Sequence, residues 1–587
     1  MTKSSHQLPQ FELSSKKLYK PFSHDINYSN IKLLAKDFVK KILFAEKSFF
    51  YSTIIYGLAI AVLSLALPIS VQLLINSVAF TAMVAPILIL GFVLLIILGF
   101  SSILTAIQFY ICEIFQRKFF ARMTAEITSK IINSSHEKFE ESNQTEFINR
   151  FFDVITIQKT MPKILIKTFT LLLQTIAGLV LVAFYHPILL IFSLIILIAI
   201  IFIWKKFSTS AFIAKFYTSR RKYDMAGWLQ DLGRNTNLFK STIGNKYAFY
   251  KSNFLCEQYL NDRKNYFHHL FYQVIGMLTI YCLANVALLI IGGYLVLNGQ
   301  LSIGQLVASE LVLSTSLYGI AQLGRDFENF YDIVSSCEKL SQFYNIPQES
   351  SGKEIVDSND LDIVFKNVVD KYFEREFYFN FSLKKHHNYI ISTDSLSSQK
   401  ILIEQLYALR KPTSGTLLIN NNDIENININ DLRSHIAIID NSQFIEGTIG
   451  EYLTFNNKNS NKKIINESLE ITEFDSVLSR FNEGLNLRII PSGYPLSESE
   501  KILLKLTRAL IQQPKIIIIT EVLDMLGLKS RKKILKYLTK NHQSMLIYFS
   551  NRRDDQHDFD EYLYITNNKT HHFKTIEELD KFEQKND

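Results

Sequence analysis

Cysteine is scarce in this sequence. The 587 residues contain four, Cys112, Cys256, Cys282 and Cys337, far apart and without a CxxC pair. That excludes a disulfide framework and a thiolate zinc site, and leaves four apolar thiols. Charge is also in short supply: Asp, Glu, Lys and Arg make up 20% of the residues, against 48% hydrophobic. Soluble domains average about 25% charged, so part of the chain belongs in lipid. The polar stretch 1–41 lacks a short apolar core followed by a small-residue cleavage site, so no signal peptide is expected there. A net charge of +8 is too modest for this length to call for nucleic acid, since cytoplasmic loops of membrane proteins carry excess Lys and Arg anyway. No catalytic histidine, metal cluster or peptidase-like cysteine precedes the first apolar run.

What is present is a series of long apolar runs, near 49–78, 83–112, 164–185, 188–204, 270–297 and 303–323, with His186-Pro187 as a tight turn between the third and fourth. Each is near or above the ~20 residues a helix needs to cross a bilayer. The links 76–82, 185–187 and 298–302 carry no Lys or Arg. The links 113–163 and 205–269 are rich in them, with Arg117, Lys118, Arg122, Lys130 and Arg150, then Arg220, Arg221, Lys222, Arg234 and Lys240. The positive-inside rule puts these two links and both termini in the cytoplasm, and that alternation requires six spans. Within the long links, 115–132 and 212–260 repeat apolar residues at helical spacing and contain no proline, so the spans should continue as helices below the membrane.

The composition changes near Pro347. Residues 349–360 are polar, include Ser350-Ser351-Gly352 and read as a linker. After them β-type runs at 363–369, 389–392, 416–419, 436–439, 516–520, 545–549 and 562–565 alternate with helical segments at 399–409, 501–511 and 530–540. The expected organisation is an N-terminal cytoplasmic segment (1–45), a bundle of six transmembrane helices (46–345), a linker (346–360) and an α/β domain (361–587).

The second half resembles the nucleotide-binding domain of ABC transporters in the order and spacing of its segments. Phe365-Lys-Asn-Val looks like the opening strand, and Tyr372 falls where the family stacks an aromatic on adenine. Lys411-Pro-Thr-Ser-Gly-Thr-Leu-Leu-Ile is similar to the strand after the phosphate-loop helix. Asp431-Leu-Arg-Ser-His-Ile-Ala-Ile-Ile and Glu446-Gly-Thr-Ile match the glutamine-loop region. Gly493-Tyr-Pro-Leu-Ser-Glu-Ser-Glu sits at the signature motif, Thr507-Arg-Ala-Leu follows it, and Ile516-Ile-Ile-Ile-Thr-Glu sits at the Walker B strand. The six-span half looks like the matching type I exporter membrane domain. The resemblance implies a half-transporter, with 147–152 and 228–239 falling where the coupling helices lie.

The resemblance also shows what is missing. A phosphate loop needs glycines so that its N–H groups converge on the phosphates, a Lys for the β- and γ-phosphates and a hydroxyl for magnesium. The aligned loop, Thr393-Asp394-Ser395-Leu396-Ser397-Ser398-Gln399-Lys400-Ile401, has no glycine, and Gln399 takes the lysine position. Lys400 is displaced by one residue, which turns a side chain about 100° around a helix. A non-glycine forced to positive φ costs about 1–2 kcal/mol. A carboxylate such as Asp394 at about 4 Å from a phosphate costs about 4 kcal/mol per unit charge. Millimolar affinity amounts to only about 4 kcal/mol. The Walker B aspartate aligns with Thr520, the catalytic glutamate with Glu521, the glutamine with Asp440 (followed by Asn441) and the switch histidine with Asn551. The signature serine survives as Ser497, but Glu498 and Ser499 replace the glycines after it.

The resulting expectation is an exporter-like half-transporter in a bacterial cytoplasmic membrane. It contacts lipid, works as a homodimer or as a heterodimer with another half, and carries an unknown, peptide or lipophilic substrate. No metal site is expected, and ATP with magnesium is a cofactor only if the altered site still binds it. Glu521 is then a catalytic remnant and the nucleotide domain a scaffold. A non-transporting membrane scaffold or regulator, and an ATPase with divergent motifs, are the alternatives. Glu310, the intramembrane carboxylate, is the first transport-path candidate, with Gln72 and Gln305 beside it.

Overall fold

The computed structural model describes residues 45–80, 84–140, 144–356, 361–372, 375–455, 461–540, 544–550, 552, 559–566 and 569–586. These fall into two compact units. The first runs as far as Pro347 apart from Ser135–Glu137, and the second takes those three residues and the chain from Gln348.

The first unit is helical. Its opening apolar run forms two helices, α1 (Lys47–Leu63) and α2 (Ala66–Phe80). Pro68 has no N–H to offer the Ser64 carbonyl, so the helix breaks at Ser64-Leu65, and the Ser64 hydroxyl donates to the Ala61 carbonyl at 2.7 Å. Next come α3 (Val84–Ile132), α4 (Phe152–Lys163) and, after Pro162 and a π-helical turn over Ile164–Thr168, α5 (Phe169–Tyr185). The unit is completed by α6 (Pro187–Arg234), α7 (Thr242–Leu297) and α8 (Ile303–Tyr344). His186 caps α6, its Nδ1 accepting from the Ile188 N–H at 3.2 Å.

Five helical stretches are long and apolar enough to cross a membrane: Lys47–Val78, Val84–Ile132, Phe147–Tyr185, Pro187–Arg234 and Thr242–Leu297. Besides these five, the 42-residue helix α8 opens with the apolar stretch Ile303–Thr315. Large apolar side chains point outward from the other helices, Leu88 at 70% exposure and Phe184 at 83%. Such a surface suits hydrocarbon rather than water. With 49, 48 and 56 residues, α3, α6 and α7 are roughly twice as long as a bilayer core requires.

Beyond the apolar stretch of α8, a buried polar cluster ties three helices together. Asp153 of α4, 2% exposed, accepts from the Tyr223 hydroxyl of α6 at 2.7 Å and from the Ser336 hydroxyl of α8 at 2.9 Å. The Lys339 ammonium lies 3.8 Å from the same carboxylate. Burial drives that ammonium down to about 8 from the usual 10.5, and the Asp153 charge only partly opposes the shift.

The second unit is α/β. Its strands are β1 (Ile363–Tyr372), β2 (Arg375–Leu383), β3 (Asn388–Thr393), β4 (Ser414–Ile419), β5 (Asn422–Asp423), β6 (Ile436–Ile439), β7 (Gly447–Thr448), β8 (Arg488–Ile489), β9 (Ile516–Ile519), β10 (Met545–Phe549), β11 (Glu561–Ile565) and β12 (Thr570–Phe573). Its longer helices are α9 (Leu396–Leu406), α10 (Lys462–Thr472), α11 (Glu498–Gln512), α12 (Leu528–Lys540) and α13 (Ile576–Asn586). An antiparallel sheet has the order β2-β1-β4-β5. A larger sheet runs β12-β11-β3-β10-β9-β6 and is parallel except at β12. All four isoleucines of β9 are buried, as a strand covered on both faces requires.

Gly415 opens β4 at φ +82°, where a Cβ would sit 2.1 Å from the Asn367 carbonyl oxygen, so only glycine fits. The stretch read as a linker is pinned to this unit over 349–356. Arg433 grips Glu349 with two bonds of 2.8 and 2.9 Å, Gly352 N–H donates to Ile427 O at 3.0 Å, and Val356 N–H donates to the Asp431 carboxylate at 2.7 Å. Residues 357–360 of that stretch lie outside the described residues.

Candidate functional site

In parallel α/β sheets ligands bind beyond the carboxyl ends of the strands. At that edge β3 ends at Thr393 and α9 begins at Leu396, so Asp394 and Ser395 make the whole connection. Ser395 is extended and caps α9. Its hydroxyl accepts from the Ser398 N–H at 3.3 Å and lies 2.8 Å from the Ser398 hydroxyl, which bonds back to the Ser395 carbonyl at 2.9 Å. Positive φ, expected as a source of strain here, is absent from 393–400. The chain avoids it by starting the helix early, and in doing so satisfies a helix-terminal N–H group with its own serine. Asp394 is exposed, and its N–H is held by the Ile565 carbonyl at 3.1 Å.

Gln399 and Lys400 point to different neighbours, as their offset on the helix predicts. Gln399 is 5% exposed and donates from Nε2 to Glu521 Oε2 at 2.9 Å. Lys400 reaches the Tyr372 hydroxyl at 3.4 Å and lies 3.6 Å from Glu404. Its ammonium and the Arg410 guanidinium each sit 5.4 Å from the centre of the Tyr372 ring. Arg410 is anchored to Glu404 at 2.8 Å.

The remaining positions are similarly engaged. Thr520 is buried, and both its N–H and its hydroxyl donate to the Ile439 carbonyl, at 3.0 and 3.2 Å. Asp440 accepts from the Ser442 N–H at 3.0 Å, and Asn441 is exposed. Ser497 caps α11 in a reciprocal box with Glu500: its N–H donates to the carboxylate at 2.9 Å, and its hydroxyl accepts from the Glu500 N–H at 3.5 Å. Glu500 in turn binds Arg480, and Glu498 binds Lys501 at 2.7 Å. Asn551 lies outside the described residues.

Two further residues take part, of which Lys505 escaped the sequence reading. Lys505 of α11 donates to the carbonyls of Asp440 and Ser442 at 2.6 and 2.5 Å, fixing that loop, and burial lowers its ammonium while Asp440 opposes the shift. Its place on the stripe of Ile502, Leu506 and Ala509 was the available signal. Asp524 takes bonds from the Tyr548 hydroxyl and, at 3.1 Å, from the Ser550 hydroxyl. Burial, and then the bond to Asp524, push the Tyr548 phenol up.

The three transport-path candidates do not join one hydrogen-bonded set. Gln72 accepts from the Tyr185 hydroxyl at 2.6 Å. Gln305 closes a capping box with Ser302, at 2.8 and 3.1 Å, and so holds the start of α8. Glu310 contacts Ser314 of the same helix at 3.3 Å.

With this geometry in view, similarity to known proteins falls on both units. Residues 50–219 match the ABC transporter transmembrane region, and residues 400–523 match the ABC transporter family. The second match begins just past Thr393–Gln399. An export ATP-binding/permease protein of Rickettsia typhi is 28% identical over 263 residues, 43% of this chain and 45% of that protein. The alpha-hemolysin translocation ATP-binding protein HlyB of Escherichia coli O157:H7 is 25% identical over 258 residues, 42% of this chain and 36% of HlyB. The alignments thus span less than half the length of these relatives. A solved bacterial Atm1-family ABC exporter with ATP bound has the same fold, with a TM-score of 0.81 at 16% identity over 92% of this chain and 96% of that one. The chain belongs to the ABC transporters, as a multi-pass membrane protein that joins the family's transmembrane region to its nucleotide-binding domain in the exporter fold.

Proposed function

We propose that this chain is one half of a dimeric exporter whose nucleotide domain has become a scaffold and does not hydrolyse ATP. The hydrogen bond between Gln399 and Glu521, 2.9 Å long, carries the reading. It joins the side chain at the phosphate-binding lysine position to the carboxylate at the water-activating position, so the Gln399 amide N–H occupies Glu521 where a γ-phosphate would lie.

The other positions support the same reading when tested against Mg-nucleotide. Ser395 caps α9 from within, where a phosphate loop leaves its N–H groups open. Thr520 has no carboxylate to hold magnesium through water, and its hydroxyl is engaged by Ile439. Ser497 and Glu500 close the end of α11 and bring negative charge there, opposite to what a partner's phosphate requires. Residues of this kind do not fit Mg-ATP. Because the phosphate-loop and signature contributions are both altered, neither composite site of a dimer would be normal even beside a competent partner.

The cytoplasmic membrane, with both termini inside, is the proposed location. The Lys- and Arg-rich links 113–163 and 205–269 support it. The substrate class follows from the apolar spans only as far as lipophilic or peptidic. The test is transport and hydrolysis together. Purified chain reconstituted alone is expected to show ATPase activity no higher than its Glu521→Gln variant. Hydrolysis lost in Glu521→Gln would restore the reading of an ATPase with divergent motifs.

A further inference from the structure

The apolar stretches 48–112, 169–204 and 270–324 contain a single charged side chain, Glu310. It lies about two turns, or roughly 10 Å, into α8, within the depth of a hydrocarbon core of about 30 Å. A carboxylate at that depth is costly unless something compensates it. No Lys, Arg or His occurs between 270 and 324.

Its surroundings hold more acceptors than donors. The Ser314 hydroxyl has one proton and lies 3.3 Å from Glu310 Oε1 and 3.0 Å from Asn285 Oδ1, so it can serve only one of them. One N–H of the Asn285 amide is committed to the Tyr281 carbonyl at 2.7 Å. Glu310 Oε2 is buried and has no hydrogen-bond partner among the described residues. The Ser314 hydroxyl is thus the donor that Glu310 Oε1 and Asn285 Oδ1 compete for, and Glu310 Oε2 has none among the described residues.

The contrast with Asp153 is instructive. That carboxylate receives a tyrosine hydroxyl, a serine hydroxyl and a nearby ammonium, which is how a structural carboxylate is satisfied. Glu310 has a single serine hydroxyl at 3.3 Å and a buried oxygen, Oε2, with no partner among the described residues. We propose that Glu310, Ser314 and Asn285 form a binding site for the cationic, N–H-bearing end of a lipophilic substrate. The ammonium supplies both the positive charge and the missing donors, and the apolar helices around it accept the rest of the molecule. The proposal rests on the exporter reading for its physiological meaning, but binding itself needs neither transport nor ATP.

The experiment uses the full chain in lipid nanodiscs, with empty nanodiscs as the partition control. The probe is 9-(aminomethyl)anthracene, cationic at neutral pH, compared with its neutral N-acetyl derivative of the same ring. Saturable binding of the amine is expected, with the acetyl compound at least about ten-fold weaker. Glu310→Gln, nearly isosteric, is expected to lose a similar factor, and Ser314→Ala a smaller one. Glu310→Asp keeps the charge and should stay within about three-fold of the wild type. It also keeps the test decisive if the Gln variant fails to give a single size-exclusion peak. Equal binding of amine and acetyl derivative, undiminished binding by Glu310→Gln, or no saturable binding by the wild type would each overturn the proposal. None of these outcomes touches the exporter reading, which is measured separately as transport by reconstituted vesicles.

Discussion

The interior of the nucleotide unit and its rim are built by different rules. Inside, β9 is four buried isoleucines, Phe365 stacks on Phe381 at 4.6 Å, and Gly415 holds a conformation no other residue suits. At the rim, the residues proposed for the phosphate and magnesium positions are turned to neighbours within the chain: Gln399 to Glu521, Ser395 to Ser398, Ser497 to Glu500 and Thr520 to Ile439. Packing tolerates no vacancies, because each lost contact costs stability directly. A binding rim has no such requirement, and on the proposed reading, with no nucleotide to bind, it favours side chains that engage each other. The fold is therefore retained by forces that do not depend on nucleotide.

That contrast sets the order of the expected effects. Phe365→Ala, which empties a site 1% exposed between two sheets, is expected to cost about 3–5 kcal/mol and to lower the first thermal transition of the full chain by several degrees. A shift no larger than that of a rim variant would break the comparison. Gly415→Ala is expected to cost at least about 2 kcal/mol, since the backbone must leave φ +82° or the Asn367 carbonyl must move. Loss of soluble expression or a depressed transition would check it.

Lys339 extends the comparison to the membrane unit, as a buried charge kept for structure. Its folded-state value of about 8 lies below the usual 10.5, so between these pH values the unfolded chain binds more protons than the folded one. Stability from this group therefore rises as pH increases from about 8 to about 10.5. Thermal transitions of wild type and Lys339→Met across that window should differ in slope, the variant being flatter. The smallest effect is expected at the rim. Gln399→Leu removes one hydrogen bond, and Glu521, being half-buried, can turn to water. A cost within about 1 kcal/mol, and no change in ATPase rate, is the expected result.

The sequence made much of this architecture legible where chemistry is local. The seven short β runs read from composition all became strands, five of them in the larger, mostly parallel sheet, whose covered strands need continuous apolar residues, and two in the antiparallel sheet. β2 was passed over, although Phe377, Phe379, Phe381 and Leu383 alternate inward along it. β12, with its sequence Thr-His-His-Phe, offers no such alternation. The ends of helices were also misjudged. α9 begins three residues before the expected 399, because Ser395 makes a cap that hydrophobic periodicity cannot reveal.

The site was legible as a set of substitutions but not as a set of contacts. Gln399 and Glu521 are separated by 122 positions and meet only because β3 and β9 both lie beside β10 in the parallel sheet. Lys505 was hidden for a similar reason: its charge suggests a surface residue, whereas its helix face is turned inward. In the membrane unit, Glu310 stood out by charge alone. The donor shortage around it depends on Asn285 of α7 and is visible only in the folded arrangement.

Binding of Mg-ATP to the purified full-length chain in nanodiscs, followed by calorimetry, tests the central claim most directly. No saturable heat up to about 1 mM nucleotide is the predicted result. Saturable micromolar binding that requires magnesium and disappears in Gln399→Leu would show a working pocket between α9 and Glu521, and would contradict the account.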